Sequence, residues 1–122
     1  MEPAHHHPGE AVLAEIAPNA RALRAEIPAT WRAFTELHQA AFAPGALDLV
    51  TKELIALALS VIKGCDGCMA AHAKGAARAG ATAAQVAEAL GVAISMDGGP
   101  ATSHGPVAFG YFTDFASQHS DR

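Results

Sequence analysis

The sequence predicts an all-α protein built as a single-domain bundle of about six helices, and three observations support that fold class. Alanine is abundant while β-branched and aromatic residues are sparse, a balance that favours helix over strand. Apolar residues recur at helical spacing in several segments, and no stretch alternates in the manner of a half-buried strand. The length of 122 residues fits one domain, and a hydrophobic content of 51% is too high for a disordered chain.

The helical domain is expected to follow a short tail. Residues 1–8 include three consecutive histidines, His5, His6 and His7, and are interpreted as a flexible, solvated segment rather than a metal site. Residues 9–122 then form the single domain, without an internal repeat. Because the N-terminus has neither a cationic start nor an apolar core, it does not resemble a secretory signal, and a cytoplasmic protein is expected.

Prolines delimit the first two helices. The first helix is predicted over roughly residues 9–26, with a bend or break at Pro18. Pro28 ends that segment, Thr30 is expected to cap the second helix, and Pro44 lies in the break that closes it. Each helix has an apolar stripe at helical spacing. The stripes comprise Val12, Leu13, Ile16 and Leu23 in the first helix and Trp31, Phe34, Leu37 and Ala41 in the second.

A capping aspartate and two glycines delimit the third and fourth helices. Asp48 is expected to cap a third helix that runs to Lys63 and stops at Gly64. Cys65 then opens a fourth helix, which Gly80 ends. The third helix carries apolar residues in nearly every direction around its axis, which predicts a position at the centre of the bundle. These residues are Leu54, Ile55, Leu57, Leu59, Val61 and Ile62.

A capping box and a glycine-rich break mark the fifth and sixth helices. Thr82 and Gln85 have the spacing of a capping box at the start of the fifth helix. Residues 97–100 break the chain, and the last helix follows with an expected kink at Pro106. The apolar stripes are Val86, Leu90 and Ala93 in the fifth helix and Val107, Tyr111 and Phe115 in the sixth.

Charge and hydropathy exclude some classes of function and favour an oligomer. A formal net charge of -4 without a basic block argues against nucleic-acid binding. Glu53, Ser60 and Lys63 interrupt the most apolar run, so no membrane span is expected. The mean hydropathy is positive in a short chain with much surface to cover, so part of the apolar surface is predicted to pack against another subunit.

Two cysteines and a histidine carry the candidate chemistry. Cys65 and Cys68 are the two cysteines of the chain, and their spacing places both sulfurs on one side of the first turn of a helix. Free N–H groups and the positive dipole end at a helix start favour thiolate over thiol. His72 lies one turn further on the same face, where an imidazole can take a proton from a thiol. A reactive dithiol or a metal site is favoured, because structural disulfides are rare in the cytoplasm.

A carboxylate on the preceding helix is predicted to reach this histidine. Gly64 permits a tight turn, so the third and fourth helices are expected to form a hairpin. At about 1.5 Å per residue, Glu53 then lies roughly 16 Å from the turn and His72 roughly 10 Å from it, which is about one helical turn apart. Glu53 can bind His72 directly or through a water and fix its tautomer, as the third member of a nucleophile–base–orienter set. Ser60, on the same side of its helix, is expected to add a hydroxyl.

This pattern resembles a known family. A glutamate, a cysteine twelve residues later, a CxxC pair and a histidine four residues after the second cysteine form the signature of the alkylhydroperoxidase D-like or carboxymuconolactone decarboxylase superfamily. Glu53, Cys65, Cys68 and His72 carry that signature here. The similarity covers about residues 46–99. The flanking segments that also match are 52–58, 79–82 and 86–90.

The resemblance implies an all-helical protein that assembles as trimers or hexamers and acts as an alkylhydroperoxidase or disulfide reductase without a cofactor. Cys68 would attack a peroxide and become a sulfenic acid, Cys65 would resolve it to a disulfide, and His72 with Glu53 would relay the proton. The implied partners are a small hydroperoxide or disulfide substrate and a thiol reductant protein or lipoyl-type carrier. Gly67 stands where well-studied members carry a second histidine, which weakens the case for a fast peroxidase and leaves room for a general disulfide reductase.

Two other classes of function stay open. The CxxC cysteines and the following histidine could bind zinc or another metal as a Cys₂His set, with a fourth ligand from His104, His38 or Glu53. Taken alone, His38 is interpreted as a packing or surface residue and His104 as a loop or cap residue. The second alternative is a carboxymuconolactone decarboxylase-like assembly or binding protein without redox activity. Lactone decarboxylation itself is disfavoured, because the decarboxylase branch lacks the CxxC pair.

Overall fold

The computed structural model describes residues 8–120, with side chains to residue 118, and consists of six α-helices. The all-α prediction is confirmed, since no strand occurs within this range. Residues 1–7, which include the three histidines of the expected tail, lie outside the described residues. None of the described helices is both long enough and apolar enough to cross a membrane. The helices are α1 (Pro8–Glu26), α2 (Pro28–Phe42), α3 (Leu49–Lys63), α4 (Asp66–Ala79), α5 (Ala83–Asp97) and α6 (Gly99–Ser120).

Prolines start helices here rather than interrupt them. The prediction that Thr30 caps α2 is wrong, because Ile27 occupies the N-cap position and Pro28 follows as the first helical residue. Proline suits that position, since its fixed φ matches a helix start and the N–H that it lacks would have no helical partner anyway. α1 is one helix across Pro18, and α6 is one helix across Pro106.

The predicted ends of α3 and α5 are confirmed by their capping contacts. Asp48 Oδ1 accepts the Thr51 N–H at 2.8 Å at the start of α3. Gly64 ends α3 in a left-handed conformation with φ 65°. Thr82 and Gln85 form the reciprocal capping box at the start of α5. Local sequence therefore specifies these boundaries well.

α4 packs against α1, α3 and α6, while α5 closes the core against α3 and α6. The buried face of α4 consists of alanines and one methionine, and side chains this small let neighbouring helices approach closely. Larger side chains from α3, α5 and α6 fill the remaining space. The buried apolar residues are Leu57, Val61, Met69, Ala70, Ala73, Ala76, Ala77, Val86, Leu90, Ala93, Ala101, Ala108, Tyr111, Phe112 and Phe115.

Two apolar stripes that the sequence places in the core are exposed. α3 packs against α2, α4, α5 and α6, as its predicted central position requires, but it is not buried on every side, since Ile55 and Leu59 are 46% and 54% exposed. No residue of α2 is buried, and Phe34 and Leu37 are 61% and 65% exposed. The physical reason is that α2 lies at the edge of the bundle, where its inner side meets α1, α3 and His72 of α4, and no helix within residues 8–120 covers its outer side.

The buried face of α6 is displaced by one residue from the predicted stripe. Tyr111 and Phe115 are buried as expected, but Val107 is exposed and Ala108 and Phe112 take its place. Steps of four residues drift away from the 3.6-residue period of a helix, so a stripe drawn with two such steps rotates out of the core.

Candidate active site

The turn between α3 and α4 brings the predicted site residues together. Gly64 has a positive φ that glycine adopts without the steric cost that other residues meet. The Gly64 N–H donates to the Val61 carbonyl and the Cys65 N–H donates to the Ser60 carbonyl, each at 3.1 Å. This close reversal starts α4 almost directly after α3, and the two helices pack on each other as the predicted hairpin.

The two cysteines form a disulfide across the first turn of α4, with Cα atoms 5.2 Å apart. Cys65 is the N-cap residue, and its sulfur accepts the Cys68 N–H at 3.3 Å. Cys68 is exposed, whereas Cys65 is half-buried. A sulfur at the N-cap lies against free N–H groups and the positive end of the helix dipole, which stabilise a Cys65 thiolate when the disulfide opens.

His72 and Glu53 form a direct hydrogen-bonded pair. His72 Nδ1 lies 2.9 Å from Glu53 Oε2, and the two side chains are 20% and 10% exposed. An ionised carboxylate only accepts hydrogen bonds, so the ring donates from Nδ1 and keeps the lone pair of Nε2 free to take a proton. The structure therefore places Glu53 where the helical rise along the hairpin predicts it, in direct contact with the imidazole.

Aromatic rings from α2 cover His72. The Phe42 ring lies nearly parallel to the imidazole, with 5.4 Å between ring centroids and 9° between ring planes. The His38 ring stacks on Phe42 at 4.3 Å and lies 5.9 Å from His72. The interpretation of His38 as a packing or surface residue missed this contact, because spacing within one helix does not show which neighbouring side chain it will meet.

A groove of about 490 Å³ opens beside Cys68 and His72, between α2 and α3. Lys52 lines it, and its Nζ donates to the carbonyls of Ala41 and Ala43 where α2 ends. The other walls are mainly apolar, so the groove offers an apolar ligand a path to the exposed sulfur of Cys68. The lining residues are Ala41, Phe42, Leu47, Lys52, Ile55, Ala56, Leu59, Ser60, Lys63, Cys68 and His72.

A tyrosine on α6 anchors the residue that follows Cys65. The Tyr111 hydroxyl donates to Asp66 Oδ1 at 2.5 Å, and Tyr111 is buried. Burial, together with this hydrogen bond and the negative charge of Asp66, raises the pKa of Tyr111 to about 12. The contact ties the CxxC turn to α6. Sequence reasoning placed Tyr111 in the core but had no signal for its partner.

We expect this anchor to give the protein an alkaline limit of stability. The folded chain favours the neutral form of Tyr111. Its contribution to the free energy of unfolding is therefore fully present below pH 10 and is lost as the pH rises from 10 towards 12. That contribution is at most about 2 kcal/mol, because Asp66 is exposed to water.

The measurement is urea unfolding from neutral to alkaline pH, for the native chain and for Tyr111→Phe. The variant should have a lower free energy of unfolding than the native chain at neutral pH, and this difference should disappear between pH 10 and 12. Tyr111 is the sole tyrosine of the chain, so tyrosinate absorbance follows its titration directly. A constant gap across that range would contradict the proposed anchor.

The region from α2 into α6 matches a family model. The model of the carboxymuconolactone decarboxylase family matches residues 28–105. The chain belongs to the carboxymuconolactone decarboxylase family. An uncharacterised protein of Cupriavidus necator is 43% identical over 100 residues, which cover 82% of this chain and 88% of that protein. The uncharacterised protein 4 of the cox locus of Paracoccus denitrificans is 47% identical over 72 residues, which cover 59% of this chain and 65% of that protein.

Solved structures from this family share the fold. A carboxymuconolactone decarboxylase family protein from Legionella pneumophila superposes with a TM-score of 0.87 at 36% identity, covering 91% of this chain and 99% of its own. A Thermotoga maritima protein of the same family superposes with a TM-score of 0.74 at 26% identity, covering 88% of this chain and 94% of its own. The description of the Thermotoga protein gives a part in an antioxidative response as a possibility.

One position departs from the resemblance to this family noted in the sequence. Gly67 stands where a second histidine is expected between the cysteines. A Cβ on Gly67 would lie 2.8 Å from Ile16 Cδ1 of α1, the end of a flexible side chain that is 46% exposed. A second imidazole near His72 is that of His38 on α2.

The other polar candidates, His104 and Ser60, lie near the turn between α3 and α4. His104 is a residue of α6 and not of a loop or cap, and its ring packs against the turn at Gly64. Ser60 lines the groove, but its hydroxyl donates to the Ala56 carbonyl at 2.7 Å. Within the described residues no group of three His, Cys, Asp or Glu side chains is arranged to hold a metal ion. The Cys₂His alternative thus finds no ligand cluster in this part of the chain.

Proposed function

We propose that this member of the carboxymuconolactone decarboxylase family is a thiol-dependent oxidoreductase that reduces a hydroperoxide or a disulfide through Cys65 and Cys68. The main support is the position of Cys68, whose exposed sulfur borders the groove beside a His72 ring that Glu53 orients. A purely structural role explains the disulfide less well, because a loop closed between residues three apart contributes little chain entropy.

The oxidative half of the reaction starts from the reduced pair. His72 Nε2 takes the proton of the Cys68 thiol, and the thiolate attacks the terminal peroxide oxygen. An S–O bond forms as the O–O bond breaks, and the leaving alkoxide takes the proton from His72 to become an alcohol. The Cys65 thiol then attacks the Cys68 sulfenic acid, which forms the S–S bond and releases water.

The reductive half restores both thiols with electrons from a dithiol reductant, such as a thiol protein or a lipoyl-type carrier. Its thiolate attacks the exposed sulfur of Cys68, and Cys65 leaves as a thiolate that the helix start stabilises. The second thiol of the reductant then releases Cys68 and forms the oxidised reductant. The sum converts one hydroperoxide and one dithiol into one alcohol, one water and one disulfide.

The groove favours an organic hydroperoxide as the oxidant. Phe42, Ile55 and Leu59 supply apolar wall next to Cys68, and an alkyl chain buried there contributes roughly 0.8 kcal/mol per methylene group. The suggested antioxidative part of the Thermotoga maritima relative is consistent with such a substrate. We propose the cytoplasm as the compartment, because a dithiol that must be reduced in every cycle needs a reducing pool.

The test is a thiol titration of the reduced protein before and after one equivalent of cumene hydroperoxide, followed by intact-mass measurement. Both thiols should disappear together, and the mass should fall by two hydrogens as the disulfide forms. Cumyl alcohol should appear in the same amount. Thiols that remain after the hydroperoxide is added would contradict the peroxidase reaction. If they also remain after a disulfide is added, the alternative of a family member without redox activity would be supported.

We further propose that copies of this chain cover the outer face of α2, where Phe34 and Leu37 are exposed, in a trimer or hexamer, and leave Ile55 and Leu59 open at the groove. Large apolar side chains at that face would otherwise stay in water, and burying each one in an interface contributes roughly 1.5–3 kcal/mol. Sedimentation should give a multiple of the 12.5 kDa chain mass, and Leu37→Glu should lower it. A monomer at micromolar concentration would contradict this assembly.

A further inference from the structure

Gly75 lies one helical turn after His72 on α4, directly against the carboxylate of Glu53. A Cβ on Gly75 would lie 2.5 Å from Cδ, 2.5 Å from Oε2 and 2.6 Å from Oε1 of Glu53. Real Cβ atoms essentially never come within 3.0 Å of another heavy atom. The carboxylate of Glu53 therefore occupies the volume that any residue other than glycine would fill.

The backbone gives no reason for a glycine at this position. Gly75 lies inside α4 and is not among the residues with a positive φ. Alanine is the better helix former, and the buried face of α4 uses it at Ala70, Ala73 and Ala76. The missing methyl group at Gly75 needs another explanation, and the contact with Glu53 supplies one.

We propose that Gly75 is a positioning residue for the His72–Glu53 pair. Without a side chain at Gly75, the carboxylate can lie against α4 and accept the His72 Nδ1–H at 2.9 Å. Glu53 is buried, so a methyl group at position 75 could not be avoided by a swing of the carboxylate into solvent. The carboxylate would move away from α4, and His72 would lose the partner that selects its Nδ1–H tautomer.

The experiment compares Gly75→Ala with Gly91→Ala, which is a matched control on α5. A Cβ on Gly91 meets nothing within 4 Å, so that variant changes helix propensity without a new contact. The first readout is the tautomer of His72 from long-range ¹H–¹⁵N correlation spectra. We expect one Nδ1–H tautomer in the native chain and in Gly91→Ala, and a mixture of tautomers in Gly75→Ala.

The second readout is turnover with cumene hydroperoxide and dithiothreitol. This readout rests on the function proposed above, whereas the tautomer does not, so a failure of one can be told from a failure of the other. Gly75→Ala should lower turnover by roughly tenfold to a hundredfold, because small displacements of a proton-relay group are costly. Gly75→Ala should have almost no further effect in a Glu53→Gln background, since Gly75 acts through that carboxylate.

Three results would overturn the proposal. The first is a Gly75→Ala variant with the native tautomer. The second is the same loss of turnover from Gly75→Ala whether Glu53 or Gln is present. The third concerns folding. If Gly75→Ala does not fold, Glu53→Ala combined with Gly75→Ala should restore helical circular dichroism, because the atoms that meet the methyl group are gone. If the double variant is as unfolded as Gly75→Ala alone, the glycine at position 75 is needed for a contact other than the one with Glu53.

Discussion

Replacement of Cys68 by serine should abolish hydroperoxide reduction, with a loss on the order of 10³-fold or more, because a serine hydroxyl is a far weaker nucleophile than a thiolate. Replacement of Cys65 by serine should have a different result. The first attack on the peroxide would still occur, but the sulfenic acid on Cys68 would have no neighbouring thiol to resolve it. The measurements are peroxide consumption over several turnovers and intact mass after one equivalent of hydroperoxide.

The two serine variants form a matched pair, since each removes one sulfur of the same disulfide. The expected difference follows from the exposed position of Cys68 at the groove and the half-buried N-cap position of Cys65. Cys65→Ser should accumulate one added oxygen or one molecule of reductant on Cys68. Equal residual turnover in the two variants, or an added oxygen in Cys68→Ser instead, would reverse the assigned roles.

Replacement of His72 by alanine should slow both turnover and alkylation of the reduced protein by about 10²-fold at neutral pH. The variant loses the imidazole that we propose as the acceptor of the Cys68 proton, while Glu53 and both cysteines are kept. Alkylation with iodoacetamide isolates the formation of the thiolate from later steps. An alkylation rate equal to that of the native chain would remove His72 from the mechanism.

The control for this variant is His38→Phe. It keeps an aromatic ring against Phe42 but removes the second imidazole of the stack. We expect its alkylation rate to stay close to that of the native chain, because Glu53 bonds to His72 and not to His38. A loss as large as that of His72→Ala would show that His38 belongs to the proton relay.

The helix boundaries show what could be predicted about the fold. Asp48, Gly64 and Thr82 mark helix ends through contacts with residues at most four positions away, and the structure confirms all three. The prediction of Thr30 as a cap is wrong, because it has the right residue type but Pro28 already starts the helix. The apolar residues of α3 correctly predict a place among several helices, but they include a face that no described helix covers.

The candidate site was predictable to the extent that it lies on one hairpin. The tight turn at Gly64 and the fixed rise of a helix are enough to place Glu53 at the height of His72, and the structure shows them hydrogen-bonded. The interval between Cys65 and Cys68 likewise places both sulfurs in one helical turn. No comparable rule connects α1, α2 or α6 to this hairpin.

Short-range sequence is thus sufficient for the helices, the disulfide and the Glu53–His72 pair, because each depends on residues within one helix or across one turn. Packing between distant helices decided that Phe42 covers His72, that Ile16 lies beside Gly67, and that Asp66 meets Tyr111. These contacts depend on how far each helix is rotated and shifted against its neighbours. That arrangement comes from the close packing of the whole core, which no single segment encodes.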